Sequence, residues 1–237
     1  LFEHMDFTSA SSESLTGLIT DQLNRAGMNS DQWTQTLGLA VSDILDTPLD
    51  TEIPGLTLRQ IPMNQRMNEL EFLMPAAWPS SEHRHNPVTA STLFTLFESG
   101  SNPTVPEKYL HQLKRLQFPA IQGFLKGFMD LVFEYDKKWY IVDYKSNMLG
   151  QWYADYAFHS LEQAMSDHHY YLQYHLYIVA LHRYLTHRIP GYDYDNHMGK
   201  VYYLFIRGMS KRRGPEFGVF QDRPPKSLVM KLSELFQ

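Results

Sequence analysis

LKGFMDLVFEYDKKWYIVDYK, residues 125–145, decides the fold more than any other stretch of the sequence. Two apolar runs rich in β-branched and aromatic residues, 131–133 and 139–142, flank the polar residues 134–138. Such runs favour strands, and a short polar segment between them is typical of a hairpin turn. The stretch therefore predicts two antiparallel strands, with Asp130 on the first and Asp143 on the second.

The charged side chains of this hairpin are expected to meet on one face. Because strand side chains alternate, Asp143 and Lys145 project to one face and Tyr144 to the other. Asp130 reaches the same face if the register of the two strands allows it. Neighbouring carboxylates suit a hard cation such as Mg²⁺, which polarises a phosphoryl oxygen and activates water. A lysine beside them can orient that water, so the hairpin indicates metal-dependent phosphodiester hydrolysis.

The spacing Asp-x-Lys is weak evidence by itself, since it usually marks a salt bridge at the surface. The acid one strand earlier, the glycine at Gly127 and the apolar strand cores strengthen the hypothesis of a metal site. Buried charges need a paired partner or a metal, so a purely structural role accounts poorly for this set.

The rest of the chain predicts helices packed around further strands. Helical spacing of apolar residues predicts helices over residues 15–25, 31–45, 106–116, 153–165 and 169–186, and a last one from residue 225. Alternation and apolar runs predict strands over residues 65–75, 201–206 and 217–220. Residues 76–106, rich in Pro, Ser, His and Asn, are predicted to form a long surface loop. This order predicts one α/β domain over residues 1–237 with a central mixed sheet flanked by helices.

Composition excludes several classes of protein. Hydrophobic residues make up 43% of the 237 residues and aromatic residues 14%, which is enough for a packed core and excludes a disordered chain. The absence of cysteine excludes a disulfide framework and a thiolate zinc site, and it fits the reducing cytoplasm. The formal charge of −5 shows no basic excess, so any affinity for DNA must be local or supplied by a partner.

Three segments carry a resemblance to a known family. The sequences GFMD at 127–130, VDYKSN at 142–147 and QYHLY at 173–177 are similar to motifs of the RecB-family branch of the PD-(D/E)xK nucleases. The similarity is strongest over residues 122–207 and weaker at 1–7 and 69–75. The resemblance implies a restriction-endonuclease-like fold and Mg²⁺-dependent hydrolysis of DNA, as in the nuclease domains of helicase–nuclease complexes.

The resemblance also implies a role for each matching residue of the hairpin. Asp130 and Asp143 would ligate the metal together with the backbone carbonyl of Tyr144. Lys145 would serve the attacking water. The family's upstream glutamate matches Glu69.

Three further residues complete the set of candidates. Glu71 shares a strand face with Glu69 if the strand alternates regularly, and it is the alternative glutamate. Gln173 and Tyr177, four residues apart on a predicted helix, match the Gln-x-x-x-Tyr motif and would point into the site. From the residues alone, core packing with a satisfied polar tip explains Gln173 and Tyr177 equally well.

One feature of the family has no match here. A metal-ligating histidine precedes a Leu-Phe-Glu-like segment in the family, and this sequence starts with that segment at Leu1. His4 lies on the wrong side of the motif. We therefore expect the chain to be part of a longer polypeptide whose N-terminal helix is interrupted at residue 1. We also expect this part alone to have little or no nuclease activity.

Partners and the remaining signals follow the same resemblance. It implies single-stranded DNA fed by a helicase, the partner subunits RecC and RecD, and ATP used by another part of the longer protein, since no phosphate-binding loop occurs here. The alternative function is a non-catalytic DNA-binding or protein-interaction module. The histidines at 168, 169, 175 and 182 lack zinc-motif spacing and are predicted at surfaces or interfaces. The basic run at 211–213 is predicted to be a solvated loop, or a phosphate contact if the protein is a nuclease.

Overall fold

A five-stranded sheet forms the centre of the structure, a computed structural model that describes residues 1–9, 12–76, 88–118 and 123–236. In spatial order its strands are β1 (Arg66–Ala76), β2 (Gly123–Tyr135), β3 (Lys138–Lys145), β4 (Met198–Phe205) and β5 (Val219–Asp222). Strands β3 and β4 pair in parallel, and the other neighbouring pairs are antiparallel. The predicted mixed sheet is confirmed.

The predicted hairpin is formed by β2 and β3, with a shorter turn than the polar segment suggested. Glu134 pairs with Trp139 and Tyr135 with Lys138, so residues 134 and 138 belong to the strands. Asp136 and Lys137 alone make the turn, with φ of 48° and 62°. Two residues with positive φ are typical of the type I′ turn, whose twist matches that of the flanking strands.

Helices cover both faces of the sheet. One face carries α1 (Ser12–Arg25) and α2 (Ser30–Asp46). The other face carries α3 (Ala90–Gly100), α4 (Glu107–Lys114), α5 (Phe158–Asp167), α6 (Tyr170–Arg188), the short α7 (Tyr194–His197) and α8 (Lys226–Leu235). Each face buries its own apolar cluster against the sheet. This helix–sheet–helix arrangement is consistent with a restriction-endonuclease-like fold and confirms the predicted fold class. In the described part of the chain, no helix combines the length and the apolar character needed to cross a lipid bilayer.

The prediction of a long loop over residues 76–106 is wrong for its second half. Helix α3 occupies residues 90–100, and its side chains Leu93 and Phe97, four residues apart, are buried. The Thr89 side chain caps it by accepting a hydrogen bond from the backbone N–H of Thr92. The polar residues around this short apolar stripe concealed its helical period. Residues 77–87 of the predicted loop lie outside the described residues.

Three other predictions about helices need correction. The N-terminal residues form a single 3-10 turn, Phe2–His4, and Met5 beyond it is extended. The helix predicted over residues 153–165 is interrupted, because a 3-10 turn at Tyr153–Tyr156 ends at the extended Ala157 before α5 begins. Helix α6 is buried on most sides because it lies between the sheet, α5 and α8. His175, predicted at a surface or interface, is fully buried there.

Candidate active site

The two acids of the hairpin lie next to each other on neighbouring strands. The register of β2 and β3 pairs Leu131 with Val142, so the next residues along, Asp130 and Asp143, face each other. Asp130 Oδ2 accepts a hydrogen bond of 2.8 Å from the backbone N–H of Tyr144. Asp143 is only 3% exposed. The hairpin thus holds the carboxylates of Asp130 and Asp143 next to each other.

Lys145 is fixed by contacts on three sides. Its Nζ lies 2.6 Å from Asp143 Oδ1 and donates a hydrogen bond of 3.2 Å to Gln173 Oε1. It also lies 3.9 Å from the centroid of the Tyr170 ring, a cation–π contact. The amine is therefore held beside the acids, as alternation along β3 predicts.

Helix α6 brings Gln173 and Tyr177 to the same place. Gln173 Oε1 accepts hydrogen bonds from Lys145 and, at 2.9 Å, from the hydroxyl of Tyr203. Gln173 Nε2 donates a hydrogen bond of 2.8 Å to the Tyr177 hydroxyl. These partners fix the orientation of the Gln173 amide. Gln173 and Tyr177 therefore belong to a hydrogen-bond network that includes Lys145, and they do more than fill the core.

Glu69 lies in β1 opposite Asp130. The pairs on either side of it, Asn68 with Leu131 and Leu70 with Met129, keep one register, which sets Glu69 across from Asp130. Its φ of 49° is left-handed, which is uncommon for any residue except glycine. Burial, Asp130 and Glu3 raise the pKa of the Glu69 carboxyl. Glu69 therefore lies within electrostatic reach of the acid pair.

The left-handed residue also reverses the alternation of β1, so the predicted face assignment is wrong. Met67 and Phe72, five residues apart, both pack towards α6, where Phe72 contacts the Tyr177 ring at 5.7 Å. Glu71 does not share the face of Glu69. It pairs with Lys126 at 2.9 Å, and both side chains are about half exposed. Of the two candidate glutamates, only Glu69 adjoins Asp130.

Burial dominates the electrostatics of the site. It raises the pKa of Asp143 to about 6 and outweighs the lowering by Lys145, while Asp130 and Glu69 add smaller increases. Burial likewise raises the pKa of Asp130 against the opposing effects of the Tyr144 N–H and Lys145. The buried Asp143, the partly buried Asp130 and the exposed Glu69 thus share one lysine, an arrangement that an added cation would stabilise.

This donor set fits a magnesium ion better than a metal that needs a full cage of side chains. Among the described residues, no three or more His, Cys, Asp or Glu side chains are close enough together to enclose an ion. Mg²⁺ commonly uses one or two carboxylates and keeps several waters. Asp130 and Asp143, with the backbone carbonyl of Tyr144, could serve in this way. Among the described residues, His4 completes no such group, and its exposed ring lies 3.6 Å from Glu3.

Two aromatic residues of the site are missing from the sequence prediction. Tyr203 reaches Gln173 because β4 pairs with β3 in parallel and sets Tyr203 beside Asp143. Tyr170 lies at the start of α6, one turn before Gln173, and its ring lies against Lys145. The helical spacing from Gln173 could have pointed to Tyr170, whereas Tyr203 requires the strand order.

Comparison with known proteins extends the similarity far beyond these motifs. No family model matches the chain. The RecBCD enzyme subunit RecB of Escherichia coli is 37% identical over 239 residues, a match that covers all of this chain and 18% of that relative. The subunit RecB of Haemophilus influenzae is 36% identical over 91% of this chain, and that of Mycobacterium tuberculosis 38% over 84%. The chain belongs to the RecB family.

The matches to RecB subunits confirm the family that the motifs predict. They cover 77–100% of the chain and lie in the C-terminal portion of those relatives. The chain spans less than a fifth of the length of the three RecB subunits compared above. It therefore corresponds to one C-terminal region of RecB.

Proposed function

We propose that this chain is the nuclease domain of a RecB subunit and hydrolyses phosphodiester bonds of DNA with a divalent cation. The observation that carries the proposal is the adjacent pair of the partly buried Asp130 and the buried Asp143, with Lys145 held beside it. Perturbed acids clustered with a lysine are typical of catalytic sites. The names of the relatives describe a subunit of the RecBCD enzyme. By analogy, the subunit would act in the cytoplasm with RecC and RecD on strands fed by a helicase that uses ATP.

The acids would hold the cation. Asp130, Asp143 and the carbonyl of Tyr144 would bind Mg²⁺, which when bound supplies positive charge to a phosphoryl oxygen and to a water. Glu69, across from Asp130, would hold waters on the open side of the site. The raised pKa of Asp143 means that the pair gains from any cation that replaces its lost solvation.

Lys145 would orient the attacking water. Of its three N–H groups, one points to Asp143 and one to Gln173, which leaves one for a water or a phosphate oxygen. Because the amine is fixed by two partners and the Tyr170 ring, little reorganisation is needed when substrate binds. Gln173 in turn is held by Tyr177 and Tyr203, so helix α6 positions the lysine.

The test is the substitution Asp143→Asn in the full-length subunit assembled with its partners. We expect Mg²⁺-dependent degradation of linear DNA to fall about 1,000-fold, corresponding to the loss of several kcal/mol of transition-state stabilisation. DNA-dependent ATP hydrolysis should stay unchanged, which shows that the assembly is intact. Asp136→Asn, in the exposed turn of the same hairpin, is the matched control. Degradation at the native rate by the Asp143 variant would leave only the alternative, a non-catalytic module with this fold.

A further inference from the structure

An exposed surface of aromatic and basic residues lies beside the candidate active site. It consists of Met148, Trp152 and Tyr153 from the loop after β3, and of Arg207 and Arg213 from the segment after β4; we call it the loop surface. A cleft of about 320 Å³ runs between the two segments, lined by both Trp152 and Arg207. Met148 is 67% and Trp152 74% exposed, and exposed apolar side chains that lie together often mark a binding surface.

The framework under this surface is well supported. The Tyr156 hydroxyl lies 3.3 Å from the backbone N of Leu149 and 3.4 Å from the carbonyl oxygen of Gly150. Gly208 packs directly against the Tyr156 side chain and leaves no room for a Cβ atom. The exposed rings therefore project from a braced loop, and their exposure is not a sign of a poorly packed segment.

The charge of the loop surface differs from that of the whole chain. Residues 148–158 and 207–217 contain four cations and two acids, a formal charge of +2, whereas the chain carries −5. One of these cations, Lys211, lies 3.7 Å from Asp46 at the end of α2. The Arg213 guanidinium lies 4.5 Å from the centroid of the Tyr153 ring. Within the described residues, neither Arg207 nor Arg213 has an ion pair. The surface thus presents uncompensated positive charge next to exposed aromatic faces.

The loop surface is continuous with the candidate active site. Arg207 Nε donates a hydrogen bond of 2.9 Å to the carbonyl oxygen of Ser146, the residue after Lys145. The next residue, Asn147, accepts a hydrogen bond of 3.2 Å from the hydroxyl of Tyr170, whose ring contacts Lys145. The loop surface therefore begins one or two residues after Lys145, and a polymer bound across it would reach the lysine.

We propose that the loop surface binds single-stranded DNA next to the bond that is cut. Trp152 and Tyr153 stack on bases, and Arg207 and Arg213 contact phosphates. Sequence-independent binding of single strands combines these two elements, because every base has an aromatic face and every nucleotide a charge. A duplex offers its phosphates but keeps its bases stacked on one another, so it would use only the arginines. The proposal rests on the nuclease function proposed above and names how that site holds its substrate.

Binding measured without cleavage tests this surface. The probe is a fluorescein-labelled dT12 oligonucleotide, titrated with the 237-residue chain in EDTA at several salt concentrations and followed by fluorescence anisotropy. We expect Trp152→Ala to weaken binding about 10-fold, through loss of one stacked base. The double variant Arg207→Gln/Arg213→Gln should reduce the slope of log K against log salt by about 1.4, that is, about 0.7 for each lost phosphate contact.

Matched controls come from helices α1 and α2, which contribute no residue to the loop surface. Trp33→Ala removes an indole that is 40% exposed on α2, and Arg25→Ala removes a cation at the end of α1. Both should bind dT12 like the native chain. Thermal unfolding followed by circular dichroism verifies that each variant is folded, and the Gln variants keep a side-chain donor for the Ser146 carbonyl.

Three results would overturn the proposal. They are native affinity in Trp152→Ala, equal affinity for dT12 and for a 12-base-pair duplex, and no binding of dT12 by the native chain. Loss of affinity in the arginine variants alone would mark a general anion surface, such as a contact for an acidic protein. EDTA removes divalent cations, so this experiment measures binding without cleavage. Its outcomes are therefore independent of the Asp143→Asn cleavage test, and either proposal can fail without the other.

Discussion

Helix α6 carries two polar clusters of opposite character within one turn. The front cluster, on the side of the hairpin, contains Gln173 and Tyr177 from α6, with Asp143, Lys145 and Tyr203 from the sheet. The rear cluster contains Tyr174 and His175 from α6, with Asn102 before α4 and Asp222 at the end of β5. Both clusters combine an acid with hydroxyl and amide groups, yet their electrostatics differ.

The rear cluster is closed and satisfied. Asp222 Oδ2 accepts hydrogen bonds of 2.7 Å from Asn102 Nδ2 and from the Tyr174 hydroxyl. His175 Nδ1 donates to the carbonyl oxygen of Tyr171 at 2.7 Å, which leaves Nε2, 3.2 Å from Asn102 Nδ2, as the acceptor. These side chains are buried. Such a network stabilises one arrangement of the helices and has no donor left for a ligand.

The front cluster is left incomplete. Burial and like charges raise the pKa of Asp143 although Lys145 lies 2.6 Å away, so the acids there are under-compensated. A protein can afford such an arrangement only where the rest of the fold supplies the stability. From this difference we expect the chemistry at the front of α6 and a structural role at the rear. Substitutions should therefore separate activity from stability.

The largest effect is expected for Lys145→Met, which keeps the apolar stem and removes the amine. Nuclease activity of the full-length protein should fall about 10²–10⁴-fold, the range for loss of a positioned proton-transfer group. The unfolding midpoint should change little, because Asp143, with its pKa near 6, can take up a proton when its partner is removed. Lys126→Met, at an exposed lysine of β2, is the control. Activity within 10-fold of the native level would contradict a functional front cluster.

The reverse pattern is expected for Asp222→Ala in the rear cluster. Two buried donors, on Asn102 and Tyr174, lose their acceptor, so the free energy of unfolding should decrease by about 3 kcal/mol. Urea unfolding of the chain measures this. Nuclease activity per folded molecule should remain native. A loss of activity without a loss of stability would show that the rear cluster is also part of the chemistry.

The rear cluster should also be sensitive to acid through His175. Burial lowers its pKa to about 4, against an ordinary value of 6.5, so the folded protein keeps the ring neutral. Between these two values the unfolded chain binds a proton that the folded chain does not, so stability falls as the pH falls. The contribution is absent above pH 6.5 and amounts to about 2 kcal/mol at pH 5.

The test is His175→Gln, which cannot titrate. Urea unfolding between pH 7 and pH 5 should show a smaller decrease in stability for the variant than for the native chain. Equal decreases would mean that His175 does not titrate between the two states as its burial requires. The pH dependence of other groups is common to both proteins and cancels in the comparison.

The sequence also predicts the two clusters to different extents. The front hairpin is local: alternation along β3 suffices to place Asp143 and Lys145 together, and the helical spacing places Gln173 and Tyr177 on one face. The prediction fails for the face of Glu71, because the left-handed backbone at Glu69 leaves no trace in the pattern of polar and apolar residues. It also omits Tyr203, which depends on a parallel pairing between distant strands.

The rear cluster is not predictable from local patterns. His175 lies 73 residues from Asn102, and Asn102 lies 120 residues from Asp222. A histidine among tyrosines on a helix is compatible with a surface, and only the packing of α3, α5 and α8 around α6 buries it. The roles of the front residues remain predictions, because the sequence matches to RecB subunits establish the family and not the function of each side chain.

The smallest effect is expected for the pair Tyr177→Phe and Tyr174→Phe, one hydroxyl from each cluster. Tyr177→Phe removes one neutral hydrogen bond to Gln173, so nuclease activity should fall about 3- to 10-fold with little change in stability. Tyr174→Phe takes one donor from Asp222 and should destabilise the chain by about 1–2 kcal/mol without altering activity. The measurements are the cleavage rate and the free energy of unfolding in urea for each of the two variants. If both variants lose activity and stability together, the two sides of α6 act as one unit and the distinction between them fails.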